Sequence, residues 1–320
     1  MKKIFNYIKK IFNLNYDKKI NKSLFELSKI DEKFALKFID VGAAEDIHPR
    51  WKRVIKFTNY IGFEPDKRSS DLLNENKNCK SYKIYPFALW SKKQKLNINF
   101  TQEPRVSSYY YPNSEFLNRY KNAERFKILK QLEVDSIDLD SLEIAEIDFI
   151  KIDIQGGELE VINGAKESLK GCLGLELEVE FLDLYKGQPL FGDLKRKLLD
   201  YGLEFIDFIN LCRWERDRFN GFGHCVFGDA IFLKSPEFIF SENNQDLISR
   251  YLAILLLYKR FDLIDKCFSL MDQKQKTLFG NFKRSIKPIR KNYNSLIFYN
   301  KIFNALVSLK SSDNKVFMHY

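Results

Sequence analysis

Two short apolar runs, each ending at a carboxylate, restrict the fold of this chain more than any other feature of its sequence. The first run, Leu36 to Val41, includes Asp40 and is followed by Gly42. The second run, Tyr60 to Phe63, is followed by Glu64. Apolar runs of this kind are typical of buried parallel strands. Joined by a helical segment, they predict the first unit of a doubly wound α/β sheet, in which ligands bind beyond the carboxyl ends of the strands.

The loop after the first strand indicates which kind of ligand this site would take. A carboxylate at the end of the second strand can accept hydrogen bonds from both hydroxyls of a ribose. Dinucleotide-binding proteins carry G-x-G-x-x-G after the first strand, where backbone N–H groups meet a pyrophosphate. Here the loop from Asp40 to Asp46 has one glycine, followed by two acids. It favours a ligand without phosphates and with a cationic amino-acid end, such as S-adenosylmethionine; a strand-to-helix turn without a ligand is the alternative.

Composition leaves several classes of partner open. The chain has 320 residues and a formal net charge of +10, with lysine abundant throughout. A basic chain favours anionic substrates such as nucleotide-linked or lipid-linked sugars, or an anionic membrane surface. The sequence lacks N-P-P-Y, so we expect no nucleic-acid substrate. Five scattered cysteines without C-x-x-C predict a reducing compartment and no zinc site. We therefore expect a cytoplasmic protein, with the inner face of the membrane as the alternative.

Both ends of the chain have helical patterns. Lysines interrupt every apolar run in residues 1 to 15, which predicts neither a signal peptide nor a membrane span. Such a basic amphipathic helix either packs on the domain or on a second copy of it, or lies on an anionic membrane. After Pro236 the pattern is helical, and its most apolar segment, Leu247 to Leu257, is too short to span a bilayer. We expect helical appendages at 1–35 and 235–320, the second with a role in homodimerisation.

An insertion interrupts the alternation of strands and helices between residues 90 and 142. It follows a third strand, Ser81 to Leu89, and contains extra strands at Lys95 to Phe100 and Phe126 to Leu139. Long insertions between core strands are often functional, so we expect an acceptor lid. Its candidate substrate-binding residues, which supply a cation, hydroxyls and flat rings suited to a sugar, are Arg105, Ser107, Ser108, Tyr109, Tyr111 and Asn113. Tyrosines that only pack the lid on the core are the competing interpretation.

Acidic residues also follow the fourth strand and alternate along the fifth. Residues Ile144 to Ile154 contain the fourth strand and Asp153, and a helix is predicted from Glu158 to Lys170. The fifth strand, Gly171 to Phe181, places three acids on one face, namely Glu176, Glu178 and Glu180. Acids on a sheet face are ordinarily solvated, yet an interior strand has no solvated face. We therefore expect one of them, Glu178, to point into the cleft.

The remaining elements complete a seven-stranded sheet. An amphipathic helix is predicted from Gln188 to Tyr201, a sixth strand from Leu203 to Asn210, and the end of an antiparallel hairpin at Gly228 to Lys234. Residues Asn210 to Cys225 lie between the last two strands and are rich in arginine, tryptophan and glycine. They include His224.

The motifs FIDVGAAED, IGFEPD, FALWS, IDFIKIDIQGGELEVINGA and GDAIFLK together resemble those of the FkbM-type methyltransferases over residues 36–234. This class I family depends on S-adenosylmethionine, methylates hydroxyls on sugars and polyketides, and often belongs to bacterial surface-glycan gene clusters. Its most specific pattern is an acid, then x-x-G-x-E, then a helix ending in G-A, matched here by Asp153, Gly156, Glu158, Gly164 and Ala165. The family often has a second glycine or an asparagine soon after Gly42, where this chain has Ala44 and Glu45.

The resemblance implies a Rossmann-like, seven-stranded doubly wound sheet at 36–234. It implies methionine contacts from the first motif, ribose contacts from the second, adenine contacts after the third strand, and Asp153 near the reacting centre. The cofactor-binding candidates are Asp40, Gly42, Ala43, Glu64, Pro65, Phe87, Ala88 and Asp153.

A hydroxyl acceptor must lose a proton, and several groups are candidates to take it. His224 is attractive because an unperturbed histidine has a pKa of about 6.5, although a lone histidine is more often structural. Asp153 and Glu178 with a divalent metal such as Mg²⁺ are the alternative, and Glu158 as the base, or no strong base, completes the set. We expect an O-methyltransferase that acts on a sugar hydroxyl in surface-polysaccharide biosynthesis. An amine or other small acceptor, or a non-catalytic glycan-assembly module, are the other interpretations.

Overall fold

The computed structural model describes residues 17–31, 33–43, 47–65, 79–121, 123–216, 223–291 and 293. It contains two sheets with helices around the larger one. The strands are β1 (Leu36–Val41), β2 (Thr58–Phe63), β3 (Ser81–Tyr85), β4 (Ala88–Leu89), β5 (Gln94–Thr101), β6 (Ile128–Ile137), β7 (Phe149–Ile152), β8 (Gly174–Glu180), β9 (Leu203–Trp214) and β10 (His224–Lys234).

The larger sheet has seven strands in the order β3-β2-β1-β7-β8-β10-β9. Strands β3, β2, β1, β7 and β8 are parallel, and β10 runs antiparallel to both β8 and β9. The strand order reverses between β1 and β7, so the carboxyl ends of these two strands flank the position where doubly wound sheets bind ligands. The predicted Rossmann-like seven-stranded sheet is confirmed.

Strand β1 shows why its sequence is an unbroken apolar run. Leu36 and Phe38 belong to one buried core, whereas Ile39 and Val41 belong to the core on the opposite face. The ring of Phe38 stacks on that of Trp51, with 3.9 Å between ring centroids. Burying a large apolar side chain contributes about 1.5 to 3 kcal/mol. In a strand covered on both faces, an apolar side chain at every position therefore adds stability. Polar residues at alternate positions would not add it.

The helices lie on both faces of the larger sheet and at the two ends of the chain. They are 17–28, Pro49–Lys52, Ser114–Leu117, Glu158–Asn163, Lys166–Gly171, Phe191–Leu199, Pro236–Ser241, Gln245–Leu257, Phe261–Leu270, Gln273–Leu278 and 280–291. The single helix predicted from Glu158 to Lys170 is wrong, because the chain leaves the helical path at Gly164. A Cβ atom at Gly164 would lie 2.1 Å from the carbonyl oxygen of Trp90, so two backbone segments pack directly together there.

The predicted third strand is also two strands. β3 ends at Tyr85, and Ala88–Leu89 pairs instead with β6 in a second sheet of order β4-β6-β5. The extra strands predicted in the insertion are confirmed as β5 and β6. The insertion therefore folds as a small sheet attached to the edge of the site.

The last hairpin is longer than the sequence predicted. β9 continues past Asn210 to Trp214, and β10 begins at His224, with register shifts that include one between Cys225 and Phe227. Residues 210–214 and 224–225 of the segment predicted as a connection are therefore strand. Its residues 217–222 lie outside the described residues.

The terminal helices share one hydrophobic core with the sheet. Leu24 from helix 17–28 and Leu252 from helix Gln245–Leu257 belong to the same buried cluster as Phe38. Arg250 Nε also pairs with Asp148 Oδ1 at 2.8 Å, which ties the long helix to the amino end of β7. Within the described part of the chain, no helix combines the length and apolar character needed to cross a membrane. The predicted helices at residues 1–15 and beyond 293 lie outside the described residues.

Candidate active site

The carboxyl ends of β1, β2 and β7 meet at one turn after β1. The N–H groups of Gly42 and Ala43 both donate to the carbonyl oxygen of Phe63, at 3.1 Å each. Gly42 has a φ of +84°, and a Cβ atom there would lie 2.1 Å from the carbonyl oxygen of Asp153. Only glycine fits both the backbone conformation and the space. The single glycine of the first motif is therefore required by the close approach of two strand ends.

The two carboxylates predicted at the first strand ends both lie at this edge. Asp40 is buried and accepts a hydrogen bond from the Tyr60 hydroxyl at 2.9 Å. Burial raises the pKa of Asp40, and the nearby Lys151 opposes that rise. Glu64 is 5% exposed, and its N–H donates to the carbonyl oxygen of Tyr85 at 3.0 Å.

The other predicted cofactor residues line the same edge. Ala43 is buried, while Pro65, Phe87 and Ala88 are half-buried. The Phe87 ring lies 5.9 Å from that of Phe63, so it packs on the end of β2. Residues 44–46 and Asp66 lie outside the described residues.

Sequence reasoning missed His48, which begins the next helix. Its Nδ1 accepts a hydrogen bond from the N–H of Arg50 at 3.3 Å and so caps Pro49–Lys52. Burial lowers the pKa of His48 to about 4, so the imidazole is neutral at physiological pH. A polar residue just before a proline that starts a helix is the signal that could have identified it.

Asp153 directly follows β7 and lies between the ends of β1 and β7. Its N–H donates to the carbonyl oxygen of Val41 at 3.1 Å, and its Oδ2 accepts from Lys151 Nζ at 3.1 Å. Burial alone would lower the pKa of Lys151, but Asp153, Asp40 and Glu176 together raise it. The Asp153 side chain remains 35% exposed, so it is paired with a cation and still accessible.

The three acids of β8 share one face, as the alternation predicted, because Leu175, Leu177 and Val179 fill the core on the other face. Glu176 accepts from Arg50 Nη1 at 2.5 Å and from the Tyr258 hydroxyl at 2.5 Å. Burial alone would raise the pKa of Glu176, but Arg50, His48, the Tyr258 hydroxyl and Lys151 together outweigh burial and hold it below its ordinary value. Glu176 is therefore an internal ion-pair partner.

Glu178 and Glu180 lie further along β8 and have no cation beside them in the described part of the chain. Glu178 is half-buried and accepts a hydrogen bond from Gln155 Nε2, which also donates to Asp153 Oδ1 at 3.4 Å. Glu180 is fully buried, and its two carboxyl oxygens have no hydrogen-bond partner among the described residues. Burial and neighbouring acids raise the pKa of both groups well above the ordinary value, which favours their neutral forms.

Glu158 and Asp229 complete this group of acids. Glu158 is fully buried, and its Oε1 accepts from the N–H of Ile154 at 3.0 Å. Asp229 lies on β10 directly opposite Glu178 and is half-buried. Burial raises the pKa of each to about 7. Asp229 was missed by sequence reasoning, although an acid inside the apolar run GDAIFLK is the signal that could have identified it. We call Asp153, Glu158, Glu178, Glu180 and Asp229 the acid cluster.

The structure does not bring His224 to the acid cluster. His224 is exposed at the first position of β10, and its Nδ1 is 2.9 Å from the Tyr120 hydroxyl oxygen. It precedes Asp229 by five positions, which at about 3.3 Å per residue corresponds to about 15 Å along the strand. Asp153 and Glu178 do lie together, bridged by Gln155, but no set of three or more His, Cys, Asp or Glu side chains in the described ranges is arranged to hold a metal.

The lid covers the acid cluster through backbone and side-chain contacts. Ser108 Oγ donates to the carbonyl oxygen of Gln155 at 2.6 Å, and Ser107 Oγ accepts from the N–H of Thr101 at 3.1 Å. Asn113 caps the helix Ser114–Leu117 and donates to the carbonyl oxygen of Asp183 at 3.0 Å. These three candidates therefore hold the lid in place.

The other three lid candidates are exposed. The Tyr109 ring lies 4.8 Å from that of Trp90, and the Tyr111 hydroxyl accepts from Gln131 Nε2 at 2.8 Å. Arg105 is exposed in the same loop. The rings and the cation thus remain on the surface of the lid.

Tyr185, which sequence reasoning missed, joins the lid to the acid cluster. It is fully buried, and its hydroxyl lies 3.0 Å from both Gln155 Oε1 and the carbonyl oxygen of Val106. A displacement of the lid would therefore alter the hydrogen bonding of Gln155, the residue that bridges Asp153 and Glu178.

Comparison with known proteins gives a family match. Residues 40–205 match the family model described as the methyltransferase FkbM domain. Among solved structures, the chain is similar to methyltransferase FkbM from Methylobacillus flagellatus KT, with 13% identity, a TM-score of 0.37, and coverage of 62% of this chain and 43% of that chain. It is also similar to magnesium protoporphyrin IX methyltransferase (ChlM) from Synechocystis PCC 6803 with bound SAM, with 9% identity, a TM-score of 0.31, and coverage of 72% and 85%.

The matched part of the chain spans less than half the length of the Methylobacillus protein. No curated protein sequence matches the chain. Because the identities and TM-scores to solved structures are low, the family match over residues 40–205 is the finding that bears on function.

Proposed function

This chain belongs to the FkbM methyltransferase family, and we propose that it is an S-adenosylmethionine-dependent O-methyltransferase acting on a sugar hydroxyl in surface-polysaccharide biosynthesis. Its acceptor would be a nucleotide-linked or lipid-linked sugar. The observation that carries the proposal is the acid cluster, in which Asp153 follows β7, Glu158 begins the next helix, and Glu178, Glu180 and Asp229 lie on β8 and β10. This cluster is beside the position where the strand order reverses.

The strand ends fit S-adenosylmethionine. Gly42 brings the turn after β1 against Asp153, and Glu64 supplies a carboxylate at the end of β2, where a ribose diol would be held. The acid cluster favours the positive charge of a sulfonium and of the methionine amino group. The neutral His48 adds a polar group on the methionine side of the site.

S-adenosylmethionine supplies an electrophilic methyl group, so that a C–O bond to the acceptor forms while the C–S bond breaks and the hydroxyl proton leaves. Asp229 is the carboxylate best suited to take that proton, because it is half-buried and its pKa is about 7. Burial favours the neutral form of Glu178, which can donate a hydrogen bond to the acceptor oxygen atoms. Asp153, held by Lys151, orients the acceptor.

Glu158 and His224 take other roles in this proposal. Glu158 has a pKa similar to that of Asp229 but has no exposed surface, so it holds the loop after β7 through its hydrogen bond to Ile154. His224 lies with Tyr120 at the far end of β10, away from the acid cluster.

Calorimetric titration with S-adenosylhomocysteine tests the cofactor site. We expect Glu64→Ala to weaken binding by about 10- to 100-fold, because a charged hydrogen-bond acceptor to the ribose is lost. Glu242→Ala, which removes an exposed acid far from the strand ends, is the matched control and should bind as the unmodified chain does. Absence of binding by the unmodified chain would contradict the proposal.

Methyl transfer to a panel of nucleotide-linked sugars, followed by mass spectrometry, tests the base. Asp229→Asn should lower kcat by about 100- to 10,000-fold with little change in S-adenosylhomocysteine affinity. If His224→Ala abolished transfer and Asp229→Asn did not, the assignment of the base to the acid cluster would be wrong.

A further inference from the structure

The lid contains a cation, Arg125, whose surroundings are unlike those of the other cations near the site. Its guanidinium carbon lies 4.5 Å from the centroid of the Trp214 ring and 5.0 Å from that of Phe126. Its Nε is buried and has no hydrogen-bond partner in the described ranges. Among those same residues, no carboxylate lies within ion-pair distance of it. Arg50 and Arg250, by contrast, each pair directly with a buried acid.

This environment is unfavourable for Arg125 unless an anion joins it. Burial lowers the pKa of Arg125, and the acids that act on it through space, Glu103 and Glu124, are both exposed. A guanidinium nevertheless stays charged in proteins. Contacts with two rings restrict the orientation of the Arg125 guanidinium. A guanidinium held in this way can donate two parallel hydrogen bonds to an oxyanion.

The surface around Arg125 is basic and provides a further donor. Residues 120–127 contain Lys121, Arg125 and Lys127 but only one acid. The Tyr120 ring lies 5.6 Å from that of Trp214, and its hydroxyl contacts His224 Nδ1. The Nε2 of this exposed histidine has no hydrogen-bond partner among the residues that the structure describes. An anion beside Arg125 would therefore lie in a positive field. The His224 imidazole could also donate a hydrogen bond to it.

Arg125 is one layer of side chains away from the acid cluster. The Phe126 ring packs on Tyr185 at 5.9 Å between centroids, and the Tyr185 hydroxyl contacts Gln155 in the acid cluster's loop. The two regions have opposite charge. A ligand with a neutral sugar at one end and an anion at the other would therefore bind in a single orientation, because the acid cluster repels the anion.

We propose that Arg125, in contact with the rings of Trp214 and Phe126, binds a phosphate or diphosphate group of the sugar acceptor, with His224 as a second donor. This inference rests on the proposed function, since it identifies which end of the acceptor the lid recognises. It gives Trp214 the role of a platform that orients the guanidinium.

Titration with inorganic pyrophosphate, in the presence of S-adenosylhomocysteine, tests the site directly. Arg125→Gln should weaken pyrophosphate binding by about 10- to 100-fold, because two charged hydrogen bonds are lost. Arg119→Gln is the matched control, since it removes an exposed cation six residues away and should change the affinity by less than about twofold. Arg125→Lys keeps the charge but loses the planar guanidinium with its paired N–H donors. Its pyrophosphate affinity should lie between those of Arg125→Gln and Arg119→Gln.

Equal weakening by Arg125→Gln and Arg119→Gln, or no saturable pyrophosphate binding by the unmodified chain, would overturn the proposal. Affinity for S-adenosylhomocysteine, measured in the same variants, shows whether each has folded. That affinity also tests the cofactor site separately, so failure of the phosphate site and failure of the proposed function give different results.

Two further probes identify the source of the phosphate. Uridine diphosphate represents a nucleotide-linked acceptor, and farnesyl diphosphate represents a lipid-linked one. We expect one of them to bind at least about tenfold more tightly than pyrophosphate and to lose that affinity in Arg125→Gln. If the affinity of both is unchanged by Arg125→Gln, the residue does not recognise the acceptor and the proposal is wrong.

Discussion

Glu176 and Glu180 lie on the same face of the same strand and are both buried, yet their electrostatic environments are opposite. Glu176 is paired with Arg50 and accepts a hydrogen bond from Tyr258, which keeps it ionised. Glu180 has no side-chain hydrogen bond within the described ranges, and burial with neighbouring acids raises its pKa well above the ordinary value. The comparison shows that one residue type in one alternating pattern becomes an ion-pair partner or a proton carrier, depending on what other elements place beside it.

The difference has a structural origin in the elements that face each end of β8. The helix after β1 and the end of helix Gln245–Leu257 bring Arg50 and Tyr258 to Glu176. The Arg50 guanidinium also lies 4.6 Å from the centroid of the Tyr258 ring. The strongest through-space effect of another titratable group on the pKa of Glu180 comes from a further acid, Glu158. One end of β8 therefore carries an ion pair, and the other end carries acids without a cation beside them in the described part of the chain.

Removing the cation should produce the largest effect. Arg50→Ala leaves Glu176 buried without its counterion, and we expect a loss of about 3 to 5 kcal/mol in the free energy of unfolding. Urea denaturation measures this loss. The double variant Arg50→Ala with Glu176→Gln should recover part of it, because no uncompensated charge remains. If the single variant lost less than about 1 kcal/mol, the pair would be no stronger than a surface ion pair, and the comparison would fail.

The same substitution at Glu176 and at Glu180 should change the stability of the protein in opposite directions. Glu176→Gln removes the charge that Arg50 needs and should destabilise the protein by about 2 kcal/mol. Glu180→Gln replaces a group that is costly to ionise with a neutral amide of the same shape, and should stabilise it by a similar amount at pH 8. Thermal unfolding at pH 8 measures both, with a shift of roughly 2 to 4 °C per kcal/mol for a chain of this size. Equal signs would show that the two sites do not differ.

The sequence predicted the acids but not their different roles. The positions of Asp40, Glu64 and Asp153 follow from local pattern, because the carboxyl ends of parallel strands converge wherever apolar runs end. The shared face of Glu176 and Glu180 follows from a period of two residues. The roles of these two acids depend on partners from distant parts of the chain, which periodicity does not identify.

The fold shows the same limit. Strands β1, β2 and β8 were predicted from their apolar residues. In β1 these residues cover both faces, and in β8 they cover one whole face. The break in the helix at Gly164 was missed because its cause is the approach of Trp90, 74 positions earlier in the chain. The extension of β9 to Trp214 was missed because a strand held by a hairpin partner tolerates polar residues.

The smallest expected effect is a dependence of stability on pH that arises only at the unpaired end. The pKa of Glu158 is about 7 in the folded chain, against an ordinary value of 4.5. The folded state therefore binds more protons than the unfolded state between these values, and the free energy of unfolding falls as pH rises through this window. Each pKa unit corresponds to about 1.4 kcal/mol. Because Glu158 is only partly solvated in the unfolded state, we expect the free energy of unfolding to change by roughly 1 to 2 kcal/mol.

Urea denaturation at pH 5 and pH 7 measures this dependence. Glu158→Gln should make the decline less steep, because a side chain that cannot titrate makes no contribution to it. The rest of the decline comes from the other acids with raised pKa values, namely Asp229, Glu178 and Glu180. Glu176→Gln should leave the decline in place, since the pKa of Glu176 lies below its ordinary value and its contribution is lost only as pH falls below that range. If Glu176→Gln flattened the decline as much as Glu158→Gln did, the proton would be shared along the whole strand, and the two ends of β8 would form one titrating unit.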